Sequence, residues 1–176
     1  MRKTIVTFFI ILCAAATYGQ HSFRQKLDSL TFITFPDTVK TSTSEAGVMY
    51  KATKGNNIYV VILNDAVKKD PSMIIDSTNL NDLYNGIVEG TINSSKSIKS
   101  IYKKDILIGK LKGIELKYSN SGNPNKPFIV YQRVVYSNAI IFMYSFVTLD
   151  EAQKNNKHDM DEFFNSFVIN DIRKKN

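Results

Sequence analysis

One stretch of this 176-residue chain departs from the period of its surroundings. Leu80, Leu83, Tyr84, Ile87, Val88, Thr91 and Ile92 recur at helical spacing within Asp76–Ser95, an apolar stripe along one side of a helix. Ser77, Thr78 or Asn79 can accept the free N–H groups at its start. The flanking segments read with period two. A one-sided helix set among strands has to bury its stripe on a sheet face. The pattern therefore predicts an α+β fold: a single-domain sandwich of a mostly antiparallel sheet with amphipathic helices packed on it.

The strands follow from alternation and turn residues. Ser29–Phe35 alternates and stops at Pro36, a short first strand. Thr38–Glu45 is polar and reads as loose. Ala46–Ala52 and Asn57–Leu63 flank "TKGNN", a hairpin with a longer loop, and "IYVVIL" (58–63) is apolar on both faces and belongs near the sheet centre. After the helix come Ile98–Lys103 and Ile106–Tyr118, then a turn-rich loop closed by "PNKP" (124–127). Phe128–Tyr136 and Ile140–Thr148 flank "SNA", with Ser137-Asn138 as a two-residue turn. Met160, Phe163, Phe164, Phe167 and Val168 mark the buried stripe of a last helix ending near Ile169, followed by a polar tail. Consecutive strands joined by short turns run antiparallel. Gly86 and Gly90 fall mid-helix on the polar side, where they either admit another backbone or are tolerated defects.

The first twenty residues have the layout of a secretory signal peptide: Arg2 and Lys3, an apolar run Ile5–Ala16, then small residues. That run is too short for a bilayer core, which takes about 20 residues. Cleavage after Gly19 is favoured, with Ala16 the alternative. Residues 1–19 are then the signal peptide and 20–176 one domain, ordered over about 29–169 and destined for the periplasm or the exterior, with no transmembrane segment. Cys13 sits inside the apolar run and reads as a small hydrophobe, not a lipid anchor. The processed chain has no other cysteine, which removes disulfides, thiolate metal sites and cysteine nucleophiles. Losing Arg2 and Lys3 takes 23 basic residues to 21 against 16 acids, and the net charge from +7 to +5.

Familiar chemistries find little support. His158, Asp161 and Glu162 share a helical face but supply one imidazole, short of the three or four ligands a metal site needs. His21 lies by the processed terminus. "DSTNLNDLYNGI" lacks the glycine and final acid of a calcium loop. There is no Gly-x-Ser-x-Gly elbow and no phosphate-binding glycine loop. The acids read as turn and helix-start residues. No cofactor, no metal and no catalytic residue is expected, and the reading leans away from an enzyme.

Charge is the remaining signal. Lys96–Arg133 holds nine basic residues and two acids, an excess of seven that exceeds the processed chain's net charge. Lys96, Lys99, Lys103, Lys104, Lys110, Lys112, Lys117 and Arg133 form a candidate docking face for an acidic protein or an anionic envelope surface. Nucleic acid does not fit an exported protein. The plainer reading is a lysine-protected sheet edge. Lys110 and Lys112 share parity with Ile114, Leu116 and Tyr118, so one alternation cannot bury the apolar groups. A register change near Gly109 or Gly113 resolves this and sets the lysines together toward water.

Several segments resemble the PsbP-like and DcrB-like exported α/β/α sandwich proteins. "FITFP" (32–36) is similar to the group's first strand, "YVVILND" (59–65) to its next, and "ILIGKLKGIEL" (106–116) to its glycine-marked strand crossing. "RVVYSNAIIFMYSF" (133–146) and "FFNSFVI" (163–169) resemble its hairpin and closing helix. The resemblance implies the sandwich fold and a group containing a photosystem extrinsic subunit and envelope proteins of unknown role. It defines no functional residues. An exported, non-catalytic accessory protein is the leading expectation. The alternative is a small apolar-ligand carrier with a groove between sheet and helix lined by Tyr84, Tyr118, Tyr136 and Phe142.

Overall fold

A computed structural model describes residues 22–45, 47–70, 72–122, 127–149 and 156–170. The expected signal peptide, Cys13, His21, the first three residues of the "PNKP" turn and the polar tail beyond Asn170 lie outside the described residues. The elements are β1 (Phe23–Lys26), β2 (Thr31–Phe35), β3 (Lys40–Ser44), β4 (Gly47–Lys54), β5 (Asn57–Asn64), α1 (Ala66–Lys69), α2 (Leu80–Asn93), β6 (Ile98–Ile108), β7 (Leu111–Asn120), β8 (Phe128–Ser137), β9 (Ile140–Thr148), α3 (Asn156–Asn165) and β10 (Val168–Ile169).

Seven strands form an antiparallel sheet in the order β3-β4-β5-β9-β8-β7-β6, and β1-β2-β10 form a second, small sheet. The expected α+β sandwich is therefore present. β5 lies inside the sheet, and its burial alternates along the whole strand. One sheet face is covered by α3 and the small sheet, through Ile33, Phe35, Phe163, Phe164 and Phe167 packed on Tyr59, Val61, Phe142, Tyr144 and Phe146. Phe163 meets Phe35 and Tyr59 at ring-centroid distances of 5.5 and 5.2 Å, within the favourable range for aromatic pairs. The other face is covered by α2 and α1. There Tyr84 and Val67 join Ile114, Leu116, Val134 and Ile141.

Buried polar pairs fix the layers in register. Asn57 Nδ2 donates to Asn156 Oδ1 at 2.9 Å, and Asn156 Nδ2 donates to Thr148 Oγ1 at 3.0 Å. This staples the start of α3 to β5 and β9. Ser166 Oγ accepts the Thr34 N–H at 2.9 Å and joins the end of α3 to β2.

Several boundaries differ from the sequence reading. The segment read as loose, Thr38–Glu45, contains β3, whose five residues are all exposed. An edge strand needs only a backbone partner, here β4, and no apolar face. β1 likewise was not expected, and it too is mostly exposed. α2 starts at Leu80, because Asp76 and Asn79 are spent on turns: Asp76 Oδ1 accepts the Thr78 N–H at 2.7 Å and Asn79 Oδ1 accepts the Asp76 N–H at 2.9 Å. The last helix ends at Asn165, and the chain turns into β10 to pair with β2. The "KGNN" turn is tighter than expected, with Lys54 opposite Asn57 and Gly55 at φ 59°. The β8–β9 turn is Asn138-Ala139, one residue later than expected, with φ 53° and 60° as a type I′ turn requires at both positions.

The register change is also elsewhere. Gly109, at φ 61°, opens a two-residue turn with Ile108 opposite Leu111, so β6 is one long strand and the hairpin tip is Gly109-Lys110. The pairing slips between Ser100 and Tyr102, which leaves Ile101 as a bulge in β6. Gly86 and Gly90 are exposed, and a Cβ at either would meet nothing within 4 Å. No other backbone approaches them. Gly86→Ala and Gly90→Ala are each expected to raise unfolding stability by about 0.5–1 kcal/mol through helix propensity. The urea midpoint checks this, and a lowered midpoint in either variant would sink it.

Candidate docking face

β6 is an edge strand, with β7 and β8 next to it. Residues directly opposite in an antiparallel ladder put their side chains on the same face. Lys99, Tyr102 and Lys104 of β6 lie opposite Ser119, Lys117 and Glu115 of β7. Those in turn lie opposite Ile129, Tyr131 and Arg133 of β8. Lys99, Lys104, Lys117 and Arg133 therefore share the sheet face that α3 covers, interleaved with two tyrosines. Lys103 and Lys112 are on the other face: Lys103 is opposite Leu116, in the α2 core, and its Nζ donates to Asn85 Oδ1 on α2 at 2.5 Å. Lys112 and Leu107 face each other there. Lys110 is at the hairpin tip, and Lys96 precedes β6, both exposed. The eight basic residues thus divide between two faces and the turns. The bulge at Ile101 decides the partner of Lys99: strict alternation would set it on the face of Lys103, and the inserted residue sets it on the face of Lys104.

The centre of the shared face is Glu115. Its side chain is 7% exposed and accepts three hydrogen bonds, from Tyr102 Oη at 2.8 Å, Lys104 Nζ at 2.7 Å and Arg133 Nε at 2.8 Å. Burial alone would raise its pKa, but the three donors and the Arg133 charge outweigh burial and hold it below its usual value. Burial and the bond to Glu115 push the Tyr102 phenol up, so it remains a neutral donor. The Arg133 guanidinium lies 4.5 Å over the Phe164 ring and ties the cluster to the α3 core. Lys104 and Lys117 sit 5.3 and 5.0 Å over the rings of Tyr102 and Tyr131. Glu115 was missed from the sequence, where acids read as turn and helix-start residues. All four residues Gly113–Leu116 are buried, so the alternation that would have marked an inward acid is absent.

The expected ligand groove does not form as drawn. Tyr84 is buried under α2, where its hydroxyl donates to the Lys112 carbonyl at 2.8 Å and accepts the Tyr136 N–H at 3.0 Å. Tyr118 and Tyr136 pack in that same core, while Phe142 is buried on the opposite face of the sheet. What exists is an open groove of about 520 Å³ between α2 and the β6–β7 tip, lined among others by Asn81, Tyr84, Asp105, Leu107 and Lys112.

His158 Nε2 lies 3.9 Å from Glu162 on the exposed side of α3, and Asp161 pairs with Lys157. Among the described residues no three His, Cys, Asp or Glu side chains converge on a metal-sized site, and no helix is long and apolar enough to cross a membrane.

No family model and no curated protein matches the sequence. Solved structures do match the fold. The chain is similar to cyanobacterial PsbP from Synechocystis sp. PCC 6803, with TM-score 0.58 and 13% identity over 85% of this chain and 93% of that one. It is similar to LpqN, involved in cell envelope biogenesis of Mycobacterium tuberculosis, with TM-score 0.55 and 15% identity over 86% and 92%. It is also similar to PA94 from Pseudomonas aeruginosa, a protein of unknown function, with TM-score 0.56 and 11% identity over 86% and 99%. The PsbP-like fold anticipated from the sequence is thereby shown; identities this low speak to fold alone.

Proposed function

We propose that this chain is an exported, non-catalytic accessory protein that docks an acidic protein through the β6–β8 face. The carrying observation is the grouping of Lys99, Lys104, Lys117 and Arg133 with Tyr102 and Tyr131 on one side of an edge strand. Glu115 cancels one of those four charges, which leaves a local excess of three. Rigid tyrosines beside cations suit a protein interface, where Tyr and Arg are enriched. Complementary charge mainly speeds and orients the encounter. Export is consistent with the amino-terminal sequence and with similarity to an envelope-biogenesis protein.

Capture from envelope extract tests the reading. The wild-type protein is expected to retain an acidic protein at low salt and release it at high salt. The double variant Lys99→Glu, Lys117→Glu is expected to lose at least about tenfold in affinity, while Lys68→Glu, Lys69→Glu on α1 retains it. Equal capture by all three proteins rejects this face. Binding to phosphatidylglycerol vesicles, with no protein captured, replaces the acidic partner by a lipid surface.

A further inference from the structure

The docking face ends at the free edge of β6. That strand closes the order of the seven-stranded sheet, and among the described residues it pairs with β7 alone. Beyond the bulge at Ile101, Tyr102–Ile108 pairs with β7 without interruption, so alternate residues there turn their N–H and C=O groups away from the sheet. Such an edge is ordinarily blunted by proline, a bulge, charge or a covering segment. The bulge lies outside this run, and the run holds no proline. Its two lysines are drawn back onto the protein's own layers, Lys103 to Asn85 on α2 and Lys104 to Glu115 on β7. Leu107, near the end of the run, is 72% exposed.

The helix makes this edge one wall of a groove. α2 packs on β6 and β7, and the open groove of about 520 Å³ lies between it and this half of β6. Lys103, Asp105 and Leu107 face the α2 side, and Tyr102 and Lys104 face the α3 side. A strand added to the edge continues both faces. Side chains on its α2 side enter the groove beside Tyr84 and Leu107. Asp105 offsets Lys112 in that lining, so no net charge there attracts an acid. Side chains on its other side come beside Lys104, with Lys99 and Lys117 on the same face, where the cationic excess favours acids. The two sides thus ask for different chemistries at alternate positions.

We propose that β6 takes up an extended segment of the acidic partner as an eighth strand over Tyr102–Ile108, its side chains alternately acidic and apolar. This rests on the docking reading above and adds how the partner is held. Main-chain hydrogen bonds to the edge supply affinity, and the alternate side chains supply selectivity. A second copy of this chain is a poorer occupant, because pairing β6 with β6 sets two faces of the same cationic excess side by side.

The probe is a capped, fluorescein-labelled octapeptide of alternating glutamate and valine. Its control has the same composition, with all the glutamates first and all the valines after. Fluorescence anisotropy at low salt is expected to show saturable binding at least about tenfold tighter than the control. Saturation should slow hydrogen exchange at least about tenfold at those Tyr102–Ile108 amides that point away from β7. N-methylating all the glutamate amides or all the valine amides should abolish binding in one case only, because an added strand pairs through one of its edges. Packing in the groove without strand pairing would not make that distinction. Leu107→Ser should weaken binding about tenfold, and the exposure of Leu107 leaves the fold intact. No binding, equal binding of the two peptides, an equal effect of both methylation patterns, unchanged exchange on β6 or unchanged affinity in Leu107→Ser overturns the proposal. So does a dimer formed through β6 with no peptide bound. The docking reading fails separately: a salt-released acidic protein that Lys99→Glu, Lys117→Glu no longer captures keeps the face while strand addition falls.

Discussion

Glu115→Ala is expected to destabilise the protein by about 3 kcal/mol, the lower end of the range for removing one partner of a buried charge cluster. The lower end applies because Arg133 and Lys104 are 23% and 54% exposed and regain some water. Three donors lose their acceptor at once, and Arg133 is left over Phe164 with no anion. Chemical denaturation measures the loss, and a double-mutant cycle with Arg133→Met should recover part of it. A loss below about 1 kcal/mol would mean that the cluster is effectively solvated. The same residue gives a pH dependence. The folded-state pKa of Glu115 is lowered from an unperturbed 4.5. Its contribution is therefore fully present above that value and is lost as pH falls through the lower folded value. Glu115→Gln should flatten that acid limb of the stability profile. An unchanged limb would assign the acid sensitivity to other carboxylates.

Gly47→Ala is the second large effect, expected at about 3 kcal/mol. Gly47 has φ +122°, and a Cβ there would lie 1.8 Å from the Leu63 carbonyl oxygen and 2.9 Å from its carbon. Both are backbone atoms of the adjoining strand β5, so relief requires the β4–β5 ladder to part at its end. The urea midpoint should fall at constant m. The contrast with Gly86 and Gly90, where nothing stands within 4 Å, makes the glycine positions a test of backbone proximity and not of glycine content. A loss smaller than that of an ordinary surface substitution would contradict the close approach.

Much of the fold was legible. The α2 stripe has one period and one buried face, and it is where the spacing placed it. β5 reads as a central strand because both its faces are apolar. β3 was illegible because "KTSTS" forms an edge by backbone pairing alone and carries no burial signal. The β8–β9 turn was placed one residue early because Ala139 in a left-handed conformation is disfavoured for a side chain, so local propensity argues against it.

The basic stretch from Lys96 shows where the division falls. Its charge excess and its strand character are properties of composition and period, and those the sequence determined by itself. Which lysine faces which layer was decided only by the tertiary structure. A strand's facing is a parity, and a single bulged residue inverts it for every position beyond. Ile101 is exposed, and its neighbours carry no glycine or proline that would announce a bulge. Pairing with β7 selects it, because Tyr102 and Lys104 then meet Glu115, while Lys103 is left to reach α2.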